Sequence, residues 1–216
     1  ESEEAAHPFE SGVPEDVDRT EYGKIVHAVL EEMYRADPRD DRGLEELAAL
    51  LSREAAREGR IEKSRIDHTA GAVVKMVRAL LRSPLGERRG EQKPEEQFYV
   101  KKGDIVLSGR VDRLESDRDT IRVIDYKSGR RREEYEFQVG FYCWALREIH
   151  PDKKIEGFVC YLGDKVDVVA VDVAAMMDRI EKAVDEMAEC FESGVFEARS
   201  SAECEACEHA RVCGGG

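Results

Sequence analysis

Two carboxylates and an amine fall on neighbouring segments of this 216-residue chain: Gly109-Arg110-Val111-Asp112 and, a short hairpin later, Asp125-Tyr126-Lys127. Paired acids suit a hard divalent cation such as Mg²⁺, which takes oxygen ligands from one or two carboxylates and completes its shell with water and substrate phosphate. Lys127 lies two residues beyond Asp125 and so projects from the same strand face. There it can orient an attacking water or offset charge gathering on a phosphorus centre. The chemistry these residues suit is metal-assisted hydrolysis of a phosphodiester. Taken alone, the Asp-x-Lys tripeptide is equally compatible with a solvated hairpin whose acids and lysine pair with each other.

Two strands must position these groups. The apolar alternation of Ile105, Leu107 and Val111 and that of Ile121, Val123 and Ile124 read as half-buried strands, with Asp117-Arg118-Asp119 as the turn between them. Antiparallel pairing would bring Asp112 and Asp125 to one end of the pair. Upstream, Gly23 to Glu31 opens an amphipathic helix, with Thr20 as its N-cap and His27 and Glu31 one turn apart. His27 can reach the same metal. Glu95 and Glu96 precede the strand Phe98-Tyr99-Val100, and Gln138-Val139-Gly140-Phe141-Tyr142 opens a helix soon after Lys127. Gln138 is suited either to contacting a substrate or Lys127 or to capping that helix, and Tyr142 either to substrate contact or to packing.

The order His, Glu, Asp, Asp-x-Lys, Gln-x-x-x-Tyr resembles the RecB-like branch of the PD-(D/E)xK nucleases over roughly residues 22–213. The resemblance places the family's Gly-x-x-x-His on Gly23 and His27, its acid before a strand on Glu96, and its Gly-x-(Ile/Val)-Asp on Gly109 and Asp112. The Asp-x-Lys falls on Asp125 and Lys127, and the Gln-x-x-x-Tyr on Gln138 and Tyr142. It implies that His27, Asp112, Asp125 and the carbonyl of Tyr126 hold Mg²⁺ or Mn²⁺. It further implies that Lys127 is the catalytic amine, supported by Glu96 and Gln138, and that the products carry 5′-phosphate and 3′-hydroxyl ends. A DNA nuclease domain of a repair or recombination helicase-nuclease is the expected function, with exonuclease action on single-stranded or unwound DNA. The alternative is a non-catalytic DNA-end-binding or scaffold domain that keeps the fold.

The six cysteines divide into two kinds. Cys143, Cys160 and Cys190 sit singly in apolar patterns and read as core. Cys204-x-x-Cys207-x5-Cys213 crowds three thiols into a polar tail, where a metal is the expected organiser. With His209, the three could form a Cys₃His zinc site; the family resemblance instead implies a 4Fe-4S cluster completed by a fourth cysteine upstream of the His27 helix. No cysteine precedes Cys143, so that reading expects the chain to be part of a longer protein carrying the fourth ligand. Disulfides are disfavoured, and a cytoplasmic location is expected.

Composition bounds the rest. Hydrophobic residues make up 41% and charged residues 38% of the chain, which suits one globular domain, and no apolar run approaches membrane-spanning length. The formal net charge of −14 opposes phosphate binding. Part of that excess lies in the acidic, Pro- and Gly-broken segment 1–20, expected to be disordered ahead of a nuclease domain at 21–198 and a Cys-rich tail at 199–216. Around the hairpin the balance shifts, with Lys101, Lys102, Arg110, Arg113 and the run Arg130-Arg131-Arg132, of which Arg130 and Arg131 are DNA-contact candidates. Weak intrinsic DNA affinity follows, tolerable where a helicase delivers the strand at high local concentration.

Helical spacing over 44–58, 61–82, 138–149 and 174–191, and strands at 155–162 and 166–173, complete the pattern. The order is helices, three strands, helix, two strands, helix. It predicts an α/β fold, a restriction-endonuclease-like core with a central mixed sheet flanked by helices and an N-terminal helical portion, with the site at one sheet edge.

Overall fold

A computed structural model describes residues 19–36, 41–163, 165–197, 204 and 207. Three helices come first: α1 (Arg19–Ala36), α2 (Asp41–Arg57) and α3 (Ile66–Leu81), the last entered through a short 3₁₀ turn at Lys63–Arg65. In α1, Tyr22, Ile25, Val26, Val29, Leu30, Met33 and Tyr34 are all buried, a stripe at helical spacing that commits one face to the core. Thr20, expected as its N-cap, lies inside the helix. Segment 1–18 is outside the described residues, as are His209 and Cys213 in the tail.

The strands β1 (Glu91–Lys102), β2 (Ile105–Ser116), β3 (Thr120–Lys127), β4 (Lys154–Tyr161) and β5 (Asp167–Val171) form one sheet in the order β1-β2-β3-β4-β5. β1–β2, β2–β3 and β4–β5 are antiparallel and β3–β4 is parallel, so the sheet is mixed as expected. The parallel step needs a crossover, supplied by α4 (Glu133–Ile149). The final helix, α5 (Val173–Ser193), starts where the Asp172 carboxylate accepts the Ala175 N–H at 3.0 Å and stops at Gly194, whose φ of 69° is left-handed.

Two cores sandwich the sheet. α1, α2 and α3 pack over Ile124, Tyr126 and Cys160. α4 and α5 pack over Phe98, Val111, Ile121, Val123 and Val159 on the other side. Among the expected core cysteines, Cys143 and Cys160 are buried, while Cys190 is only half-buried. No helix among the described residues is long and apolar enough to cross a membrane.

β1 is far longer than the Phe98–Val100 strand that apolar alternation marks, because it begins in a polar stretch and includes Pro94. As an outer strand it can hold a proline without losing a ladder bond on its open side. The candidate site residues on the sheet lie on β1, β2 and β3. The ladder between β2 and β3 covers only Arg113–Ser116 against Ile121–Ile124. Beyond Arg113, β2 leaves β3 and continues with β1 as a two-stranded ribbon. The reactive groups gather where that seam opens.

A buried cation holds the seam. Arg113, which by sequence counts among the positive charges available to DNA, is completely inaccessible. Its Nη1 donates to Tyr34 Oη at 2.5 Å, to the Leu85 carbonyl at 2.9 Å and to Tyr126 Oη at 3.1 Å; Nε donates to Gln92 Oε1 at 3.0 Å; and Nη2 pairs with Glu115. The guanidinium also lies 3.9 Å from the centre of the Tyr34 ring. Burial opposes its charge, but Tyr126, Tyr34 and Glu115 outweigh that cost and fix it as a cation. Arg113→Ala, which strands Glu115 in the core, should therefore destabilise the fold by about 3–5 kcal/mol in urea unfolding. Arg118→Ala in the exposed 117–119 turn should stay within about 0.5 kcal/mol of wild type.

Candidate active site

Asp112 occupies the point where β2 departs. In place of the next ladder bond, its Oδ2 accepts the N–H of Tyr126 at 2.7 Å, so a side chain closes the end of the β2–β3 seam. Its Oδ1 lies 3.5 Å from Nδ1 of His27, carried across by α1. α1 comes this near because residue 23 is glycine: a Cβ there would sit 2.9 Å from Ser128 Oγ, just past Lys127. Gly109 serves the opposite face, where a Cβ would run into the Phe98 ring at 2.4 Å and the Tyr142 ring at 2.9 Å.

Glu95, rather than its neighbour Glu96, approaches His27 and Asp112. One donor atom from each of His27, Glu95 and Asp112 lies within 4.8 Å of the other two, a grouping able to hold a metal ion. The β1–β2 register explains the choice. Lys102 pairs with Ile105 across the two-residue loop Gly103-Asp104, and counting back along both strands sets Glu95 opposite Asp112 and Glu96 opposite Val111. Glu96 lies instead toward Lys93, at 4.0 Å, beside Phe98 and Leu114 on the α4 side. Recognising Gly103-Asp104 as a two-residue hairpin loop would have placed Glu95 opposite Asp112 from sequence.

Glu95 reaches the group through unusual backbone geometry. Its φ of 52° is left-handed, which a non-glycine residue adopts at some cost. The alternation of both strands slips there. Lys93 and Glu96 border the same cleft on the α4 side; on β2, Val111 and Leu114 both enter the α4–α5 core, while Arg113 turns toward α1. The slip releases Glu95 and Asp112 together from the regular pleat.

Asp125 and Lys127 face the N-terminal part of α4. Lys127 Nζ lies 2.7 Å from Asp125 Oδ2, donates to Gln138 Oε1 at 3.1 Å and stands 4.8 Å from the centre of the Tyr135 ring. Gln138 Nε2 in turn donates to Tyr142 Oη at 2.7 Å. Because α4 begins at Glu133, Gln138 lies past the helix start and does not cap it, and Tyr142 both packs against Phe98 and anchors Gln138. The arginines after Lys127, Arg130, Arg131 and Arg132, are all exposed, and Arg131 also pairs with Asp167 and lies over Tyr161.

The electrostatics describe a site short of positive charge. Burial first, and the neighbouring Asp112 charge second, push Asp125 up to about 6 against the pull of Lys127 and His27. Burial and Asp112 likewise raise Glu95, with Arg110 at 2.8 Å opposing. Burial works against a charged His27, but the hydrogen bond and charge of Asp112 outweigh it and raise its pKa. Acids crowded in this way, with an imidazole nitrogen among them, fit the oxygen- and nitrogen-rich shell of a divalent cation, whose charge would relieve them.

A linkage follows from Asp125. Its folded pKa lies above its unfolded one, so its ionisation penalises the fold fully above about pH 6, and the penalty fades as pH falls toward the unfolded value. Without metal, Asp125→Asn should melt several degrees above wild type at pH 7.5, and the difference should disappear near pH 4. Mg²⁺ or Mn²⁺ should raise the wild-type melting temperature and leave that of the variant nearly unchanged.

Among solved structures, the chain is similar to SSO0001, with 17% identity over 76% of this chain and 80% of that one and a TM-score of 0.38. It is also similar to a provisionally assigned exonuclease from Eubacterium rectale, with 14% identity over 79% and 80% and a TM-score of 0.47. No curated protein matches. The model of the PD-(D/E)XK nuclease superfamily matches residues 4–214, nearly the whole length, and the chain belongs to that superfamily.

Proposed function

We propose that the protein is a divalent-metal-dependent deoxyribonuclease of the RecB type. The observation that carries this reading is the convergence of His27, Glu95 and Asp112 within 4.8 Å beside the 2.7 Å Asp125–Lys127 pair. His27, Glu95, Asp112, Asp125 and the Tyr126 carbonyl are the assigned metal holders. A bound Mg²⁺ or Mn²⁺ would polarise the scissile phosphate and acidify a water molecule. Asp112, fixed by the Tyr126 N–H, keeps its other oxygen turned toward His27. Lys127, steered by Asp125 and Gln138, presents its ammonium to the charge that builds on the phosphate oxygens. Tyr142 limits the swing of Gln138 and so of the amine.

Exonuclease action on single-stranded or unwound DNA, supplied by a helicase domain or subunit in repair, is the finer form of the proposal. The net charge of −14 supports it, since a nuclease with weak affinity of its own gains from a motor that delivers strand. At the tail, Cys207 N–H donates to the Cys204 carbonyl at 3.3 Å, which puts two of the expected ligands in one turn. With Cys213 they are assigned to a 4Fe-4S cluster, which needs a fourth ligand besides these three.

Cleavage of end-labelled single-stranded DNA tests the site. Asp112→Ala and Lys127→Ala should each lower the rate at least about 100-fold. Glu95→Gln should fall by a similar factor, while Glu96→Gln stays within about threefold. The reverse ranking of the two glutamates would return the role to Glu96, and undiminished cleavage in chelator would overturn the metal reading. For the tail, metal analysis of anaerobically purified protein should find iron with a visible charge-transfer band; stoichiometric zinc would instead favour Cys204, Cys207, His209 and Cys213 as a Cys₃His site.

A further inference from the structure

Between its departure from β3 and the Gly103-Asp104 loop, β2 pairs only with β1. One face of this ribbon is closed, with Phe98 against Phe141 and Tyr142 of α4 and Lys102 bonded to Asp185 of α5 at 2.9 Å. The alternation places Gln97, Tyr99 and Lys101 of β1, and Val106, Ser108 and Arg110 of β2, on the opposite face, and all six are exposed. Tyr99 keeps 65% and Val106 63% of their surface in solvent.

That face runs directly out of the metal group, because Glu95 and Asp112 are the next residues along the same two strands. In a chain with 48 acidic residues against 34 basic ones, its six positions carry two cations, one aromatic ring, a hydroxyl, an amide and no acid. Tyr99 lies opposite Ser108 and Lys101 opposite Val106. At the rise of a strand, Tyr99 and Ser108 stand about 14 Å from the Glu95–Asp112 pair and Lys101 about 20 Å. Gln97 and Tyr99 also border the cleft that Lys93 and Glu96 line. An exposed ring followed by a lysine along an extended ribbon suits a strand with unpaired bases, since a ring stacks on any base and a cation meets the backbone.

We propose that this outer face is a track for single-stranded nucleic acid leading to the metal group, with Tyr99 stacked on a base and Lys101 and Ser108 on the phosphates of nucleotides a few positions from the cut. The proposal rests on the nuclease reading above for its direction, but the track can bind whether or not the site cleaves.

The test uses the Tyr99→Ala/Lys101→Ala double variant, whose substitutions lie on an exposed face, with thermal melting to verify folding. On a 5′-labelled oligo-dT 20-mer with Mn²⁺, KM should rise about tenfold and kcat stay within twofold. Hydrolysis of the small substrate bis(p-nitrophenyl) phosphate, too short to reach the ribbon, should not change. Tyr99→Trp should retain the wild-type KM, and Lys101→Ala alone should lower the slope of log affinity against log salt by about 1. Anisotropy of a labelled oligo-dT with the metal site empty reads the track apart from catalysis. Wild type that binds through Tyr99 and Lys101 without cleaving would sink the nuclease reading and leave the track standing. Unchanged KM and binding in the double variant would overturn the track, as would a Tyr99-dependent preference for duplex over single strand, and would mark the face for a protein partner instead.

Discussion

A single buried guanidinium decides where the pieces of this protein meet. Arg113 takes hydrogen bonds to α1 through Tyr34, to the segment after α3 through Leu85, to β1 through Gln92 and to β3 through Tyr126, while Glu115 supplies its counter-charge. A cation inside a protein is tolerable only with all its donors occupied, so none of these partners can shift independently. Arg113 is also the neighbour of Asp112. The same rigid point that joins the helical layer to the sheet fixes the carboxylate at the mouth of the seam, and it orients the Tyr126 ring while the Tyr126 backbone serves Asp112.

What Arg113 makes rigid, the next residues use under strain. Glu95 accepts a left-handed backbone, Asp125 is a carboxylate at 2% exposure with Asp112 nearby, and α1 approaches Ser128 through a glycine. Each departs from the most stable choice for its position. Their common effect is to concentrate negative charge in a place that regular sheet geometry would leave empty. Crowding acids in this way gives up stability that a more regular arrangement would keep.

Much of this was legible in the residues. Period-two alternation marked β2, β3, β4 and β5, helical spacing marked every long helix, and the element order implied the mixed sheet. Asp112, Asp125, Lys127, His27 and Gln138 do come together around one seam. The failures share a cause: they fall where local pattern yields to long-range pairing. A polar run with a proline does not look like a strand until β2 is laid beside it, and the choice between adjacent glutamates depends on a register counted from a loop eight residues away. An arginine looks solvent-bound until a tyrosine 79 residues away in sequence is found bonded to it. The helix start at Glu133 was missed because the first turn, with Glu133, Glu134 and Glu136, is mostly acidic and carries little apolar period.

The meander of β1, β2 and β3 has a consequence for how the site comes into being. Glu95, Asp112, Asp125 and Lys127 all belong to this one contiguous stretch, joined by tight turns, and such local hairpins form early. His27 does not. It reaches the acids only when α1 docks, and the Tyr34–Arg113 contact that secures the docking closes a span of 79 residues. Closing so long a loop is entropically costly and comes late. A folding chain would therefore own its acidic cluster before it owns the imidazole, and the crowded carboxylates would stand on the sheet alone until the helical layer seats.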